Sequence, residues 1–293
     1  MPPVAVVMDT TGYLPDDVAA EYGIAVVSLY VNFEGGARTV PEAELMKRLD
    51  TVYDDIRDHE AWPTTSQPSV GDFIAVYEPL LADGKEIVSI HISEGISGTA
   101  GAARQAAQQL ERDGKGGERV HIVDSGSSAG GLGLIALAAA TVARAGGSAE
   151  DVVARAEETK AELKMWFAID TLEFLKRSGR IGAASAWIGS TLKIKPILTL
   201  DNEITPVERV RTSKRAFERM VDYARQRQES GADAWVVQHI RSPGEADRLA
   251  DACREVFGCE PVFLSEIGPV LGVHTGPGLL GVGGIPKRLL EGD

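Results

Sequence analysis

Apolar positions fall into two periodicities along the chain. Short β-branched runs at Val4–Met8, Ala25–Val31, Glu86–Ile92 and Val120–Val123 read as strands. Between them, Pro15–Tyr22, Val70–Leu81, Thr99–Glu111, Leu132–Ala145 and Ala149–Lys164 carry helical patterns. Alternating strands and helices predict a mostly parallel sheet with helices on its faces. The second half repeats the theme less regularly. Trp166–Ile169 reads as a strand, Thr171–Ser178 and Ala184–Leu192 as helices, and Ile197–Leu200 with Thr205–Val210 as a short β pair. Lys214–Glu229 reads as a long helix, and Ala234–His239, Glu245–Phe257 and Pro261–Leu264 as a further β-α-β unit. The expected organisation is two α/β domains, 1–164 and 165–293, the first with the mostly parallel sheet. The Leu132–Ala143 run is the longest apolar one; it falls short of the roughly 20 residues of a membrane span and reads as a buried helix.

The 293 residues are 44% hydrophobic and 25% charged, enough apolar material for a sizeable core. A net charge of −13 argues against nucleic-acid binding and against stable membrane insertion or adhesion. Arg177, Arg180, Arg209, Arg211 and Arg215 nevertheless crowd one region of the sequence. Cys253 and Cys259 lack metal or redox spacing and read as reduced thiols. With an opening that lacks a basic segment and meets Asp9 early, the expectation is a cytoplasmic protein, monomeric on its own, without a metal.

Four polar stretches stand where strands or helices end, the place where open α/β sheets bind ligands. Thr64-Thr65-Ser66-Gln67-Pro68-Ser69 precedes a helix; capping accounts for Ser69 and leaves Thr65 and Ser66 free for other work. Ile92-Ser93-Glu94-Gly95-Ile96-Ser97-Gly98-Thr99 follows a strand and opens a helix, which suits a carboxylate or phosphate; helix capping by Ser97 is the plainer alternative. Leu175 to Gly182 ends a helix in cations and Gly, and Arg180 lies beyond that Gly. Gly268 to Gly278 reads as a Gly- and Pro-rich loop carrying His274 and Thr275. The matches to GxGxxG at Gly276, Gly278 and Gly281 and to GxGxxA at Gly131, Gly133 and Ala136 lack the strand and acidic residue that dinucleotide binding needs. A phosphate loop, a GxSxG elbow and a zinc motif are all missing from the sequence.

Taken in order, these stretches resemble the DegV family across nearly the whole chain. The resemblance runs through Val7-Met8-Asp9-Thr10-Thr11, Thr65-Ser66-Gln67-Pro68, Ile92-Ser93, Ser97-Gly98-Thr99 and Val123-Asp124-Ser125. It continues through Arg177-Ser178-Gly179-Arg180-Ile181, Leu192-Lys193-Ile194-Lys195-Pro196-Ile197-Leu198, Val210-Arg211-Thr212 and Ile267 to Gly278. It departs from the family at Thr10, Glu94 and Gly182, where Ser is usual. The resemblance implies a long-chain fatty acid such as palmitate, stearate or oleate held between two domains, its acyl chain in a tunnel of the first. Thr65, Ser97 and His274 would bind the carboxylate. Ser66, Thr99, Arg180, Arg211 and Thr275 would surround the head group or the phosphoryl-transfer region. The chain would be a carrier without catalytic residues of its own, presenting the carboxylate to a fatty acid kinase that forms an acyl phosphate. The alternatives are a serine hydrolase or acyl-transfer enzyme using Ser97 and His274, and, less well supported, a phosphotransferase.

Overall fold

The computed structural model describes residues 2–58, 62–187 and 194–292. The first half begins β1 (Val4–Asp9), α1 (Asp16–Glu21), β2 (Ala25–Val27), β3 (Tyr30–Phe33), β4 (Arg38–Pro41), α2 (Glu42–Met46), α3 (Leu49–Asp58) and β5 (Thr64–Ser66). It continues with α4 (Val70–Ala82), β6 (Glu86–His91), α5 (Thr99–Arg112), β7 (Val120–Asp124), α6 (Gly130–Arg144) and α7 (Ala149–Glu162). Strands β2-β1-β6-β7 form a four-stranded sheet, parallel throughout. Its strands are apolar on both faces because both are covered. Val6 and Met8 point toward α6, while Val7 points toward Phe73, Tyr77 and Ala103 of α4 and α5.

The Ala25–Val31 run is not one strand. It breaks at Ser28-Leu29, where Leu29 gives its N–H to the Thr10 hydroxyl at 3.2 Å. The chain then leaves the parallel sheet and enters a separate antiparallel sheet, β4-β3-β5. These short strands, and α2 and α3, were not readable from periodicity.

The second half runs β8 (Lys164–Ala168), α8 (Glu173–Ser178), a 3-10 turn at Gly182–Trp187, β9 (Lys195–Asp201), β10 (Glu203–Val210) and α9 (Ser213–Glu229). It closes with β11 (Ala234–His239), α10 (Pro243–Phe257), β12 (Phe263–Glu266), α11 (Pro269–Thr275) and β13 (Leu280–Ile285). Of the helix expected over Ala184–Leu192, only Ala184–Trp187 can be judged, and it forms the 3-10 turn; the remainder lies outside the described residues. Within the Gly268–Gly278 stretch expected to be a loop, Pro269–Thr275 forms helix α11, and strand β13 follows from Leu280. Pro269 fits the first helical turn and Gly276, at φ 75°, ends it. Sheet order is β10-β9-β8-β13-β11-β12, with β13 antiparallel to both neighbours and β11 parallel to β12.

α6 joins the two large sheets. Every residue from Gly130 to Val142 is buried. One continuous core holds Val88 and Ile90 of the first sheet, Leu132 and Ile135 of α6, and Val236 and Ile285 of the second sheet. The second sheet's other face packs Trp235, Val237 and Val282 against α9 and α10. Among the described residues no helix is long and apolar enough to cross a membrane.

Candidate functional site

A cavity of about 340 Å³ lies between the large sheets where α6 begins. Its walls are apolar over Leu29, Ile96, Leu175, Ile204, Ile267 and Leu279, with the polar groups Thr65, Ser66, Ser97, Arg180, His274 and Thr275. That composition, apolar with a few convergent polar groups, is typical of a small-molecule site. Both halves of the chain contribute, and the larger part of the apolar lining comes from residues after 164. The inner face of the parallel sheet is filled by α6, so free space begins only beyond its start. There Ala129 takes a strained φ of 51° and leads Ser127 and Ser128 past the cavity wall. Gln238 holds this turn by accepting the Gly130 N–H.

Thr65 comes from β5 and His274 from the last turn of α11. The Thr65 hydroxyl meets His274 Nε2 at 2.7 Å. Nδ1 of the same ring is buried and has no partner among the described residues. Burial, then the nearby Arg180 charge, pushes His274 down to about 4, so the ring is neutral at neutral pH. A neutral imidazole paired with a hydroxyl can exchange hydrogen bonds with a ligand oxygen.

Ser97 is placed by the loop after β6. Asp9 Oδ2 accepts the Ile92 N–H at 2.9 Å, and the Ser93 hydroxyl donates to the Asn202 carbonyl at 2.7 Å. The Ser97 hydroxyl pairs with Thr99 at 2.8 Å, and the helix cap falls on Gly98 instead. Thr99 is fully buried behind Ser97. Behind the loop, Tyr77, Ser89, His91 and Asp9 form a hydrogen-bonded chain: Tyr77 to Ser89 at 2.7 Å, Ser89 to His91 at 2.7 Å and His91 to Asp9 at 3.1 Å. It has the order of a hydrolytic triad, yet all four side chains are sealed from solvent, so no substrate reaches Ser89.

A family model of the DegV proteins, described as uncharacterised, matches residues 3–287. The chain belongs to the DegV family. A DegV domain-containing protein of Streptomyces coelicolor is 39% identical over 282 residues, 95% of this chain and 97% of the relative. DegV of Bacillus subtilis, described as a fatty acid binding protein, has a crystal structure that is 32% identical and superimposes with a TM-score of 0.85 over 98% of this chain and all of that one. A DegV family protein from Thermus thermophilus, described by its fatty acid binding, is 32% identical with a TM-score of 0.81, over 97% of this chain and 99% of that one.

Within this DegV chain, Arg180 lines the cavity and donates to the Ser178 carbonyl at 2.7 Å. Arg211 is exposed at the end of β10 and is not part of the cavity wall. Two departures from the family pattern also lie off the wall. Glu94 is exposed and pairs with Arg104. Gly182 sits at φ 52°, and a Cβ there would lie 2.5 Å from the Ile204 carbonyl oxygen, so a side chain would be strained on both counts.

The residues that seat α11 were not singled out from the sequence. Glu42 is fully buried and accepts from Thr10 at 2.6 Å, Tyr13 at 2.8 Å and the Val270 N–H at 2.8 Å. Tyr53 donates to the Ile267 and Gly268 carbonyls, and Trp62 to that of Val273. Gly272 lets Tyr53 approach, since a Cβ would meet its ring at about 2.5 Å. Burial raises Glu42 to about 7, against the pull of its three hydrogen bonds. Nothing in Pro41-Glu42-Ala43-Glu44 distinguishes Glu42 from the exposed Glu44. Among the described residues no group of three or more His, Cys, Asp or Glu side chains is placed to hold a metal.

Proposed function

We propose that this protein binds a long-chain fatty acid with its carboxylate at Thr65, Ser97 and His274 and its acyl chain in the cavity between the two halves. The observation that carries this reading is the Thr65–His274 pair on the wall of a largely apolar cavity. The likeness to DegV proteins described as fatty acid binding supports the ligand class. Residues 1–164 and 165–293 then act as two domains clasping one ligand. Ser66 and Thr275 complete the polar surround, and Thr99 supports Ser97 from behind. An acyl chain contributes about 0.8 kcal/mol per buried CH₂, so the tail supplies most of the affinity. Neutral hydroxyl and imidazole groups orient the carboxylate without the tight grip of a bidentate arginine. An oxygen so held remains available to attack a phosphoryl donor, with Arg180 supplying positive charge. In this reading the chain is a cytoplasmic carrier and a separate kinase performs the transfer. The hydrolase alternative has less behind it, because His274 is partnered by Thr65 and not by Ser97.

Lipid extraction of the purified protein followed by mass spectrometry tests the ligand. A stoichiometric long-chain acid, reduced in Thr65→Val, is expected. Failure to recover any acyl species, together with no uptake of added palmitate or oleate, sinks the proposal.

A further inference from the structure

β8 and β9 form a ladder only at Phe167–Leu198 and Ala168–Ile197. Continuing that register would set Trp166 opposite Thr199 and Met165 opposite Leu200, but no pairing forms there. The Thr199 hydroxyl instead donates to the Met165 carbonyl at 2.7 Å. The strands part, and a side chain satisfies a carbonyl that the neighbouring N–H leaves open.

A second cavity, of about 400 Å³, adjoins this parting. Ser127, Met165, Trp166 and Leu200 line both it and the first cavity. The character of the walls changes across this boundary, because Lys160, Lys164, Asp201 and Arg227 line the second cavity and not the first. Trp166 is fixed by stacking on Tyr223, ring centroids 4.0 Å apart and planes 4° apart. Leu200, half-buried, is the part of the wall that can be changed with least disturbance. Ala168, at the end of β8 from which α8 departs, pairs with Leu280, and Met165 is three residues back, about 10 Å along the strand from it.

We propose that the parting of β8 and β9, closed by Met165, Trp166 and Leu200, is the stop that sets the longest acyl chain the cavity accepts. A methyl end reaching this wall meets apolar side chains, and a longer chain would have to push them toward the charged chamber behind. This rests on the fatty-acid reading above.

The test uses delipidated full-length protein and a saturated series from myristate through palmitate, stearate and arachidate to behenate, with affinities measured by calorimetry. Wild type should tighten by about fourfold per methylene and then stop gaining. Leu200→Ala should move that limit to a longer acid, binding the first over-long member about tenfold better than wild type, as expected for two methylenes partly accommodated. Leu200→Trp should move the limit to a shorter acid. Ile267→Ala, in the same cavity but outside the shared wall, should leave it in place. If wild type binds none of the series, the fatty-acid reading itself fails. If wild type binds with a clear limit and both Leu200 variants keep it, the stop lies elsewhere and the inference is overturned.

Discussion

His274 and Glu42 sit at opposite ends of α11, and burial moves them in opposite directions. The imidazole falls from 6.5 to about 4, so the unfolded chain protonates first on acidification. Its stabilisation is present above pH 6.5 and is lost as pH falls toward 4. Glu42 rises from 4.5 to about 7, so the folded chain keeps a proton that the unfolded chain releases. Its stabilisation is present below pH 4.5 and is lost as pH rises through 7. The two slopes oppose each other in mildly acidic solution. Glu42→Gln keeps a shape like the protonated acid and removes one slope. Relative to wild type the variant should gain stability as pH rises from about 4.5 to 7, by at most about 1.4 kcal/mol per pH unit. Urea denaturation at stepped pH reads this directly, and a difference between the two proteins that stays constant over that range contradicts it. At the other end of the helix, Thr65→Val removes the hydroxyl that meets His274 while nearly preserving shape. Loss of one such hydrogen bond should weaken fatty-acid binding about tenfold, on the order of 1.5 kcal/mol. The ligand-free protein should also lose stability, on the order of 1 kcal/mol, because His274 Nε2 loses its partner; a variant that binds as tightly as wild type removes Thr65 from the site.

At the scale of elements, legibility followed periodicity. The long helices α4, α5, α6, α7, α9 and α10 and the strands of the parallel sheet show either a 3.6-residue stripe or a continuous apolar run, and the chain announces them. The elements that hold the ligand-facing groups do not. β5 is three residues long, α2 is five, and α11 reads as a loop because Gly268, Gly272, Gly276 and Gly278 punctuate it. Those glycines answer long-range demands, such as the Tyr53 ring against Gly272, which no local pattern encodes. The polar residues Thr65, Ser97 and His274 were legible as a set only through their order along the chain. What joins them, the anchoring of α11 by Glu42, Tyr53 and Trp62, spans more than 200 residues for each contact. The anchoring itself is testable. Tyr53→Phe deletes the hydroxyl that bonds the Ile267 and Gly268 carbonyls and leaves the ring against Gly272. Two buried carbonyls lose a donor, so stability should fall by roughly 1–3 kcal/mol. Amide exchange in Pro269–Thr275 should quicken more than exchange in α9, and uniform quickening across both helices would place the effect elsewhere.

The whole molecule is tied together by α6. A chain that crosses from one large sheet to the other at Lys164 invites division there, and each sheet is built from one side of that point. The cores do not divide in the same way. Leu132, Leu134 and Ile135 share one apolar cluster with Ile90 on one side and Val236, Phe263 and Ile285 on the other. A fragment ending at residue 164 would leave that second flank of α6 facing water, on a helix with Arg144 as its one charged residue. Apolar area exposed in this way costs about 25 cal/mol per Å². The fragment 1–164 should therefore fail to form a rigid core, binding hydrophobic dye and losing near-ultraviolet dichroism while it keeps helical signal. In the intact protein the same helix couples the two halves. Tryptophan fluorescence, dominated by residues of the second half such as Trp166 and Trp235, and far-ultraviolet dichroism from both halves should follow one coincident urea transition. Ile135→Ala should shift that single transition by about 2–5 kcal/mol without splitting it. Two separated transitions in wild type, or a fragment 1–164 with sharp, dispersed side-chain resonances, would mean that the halves fold independently and that α6 belongs to the first alone.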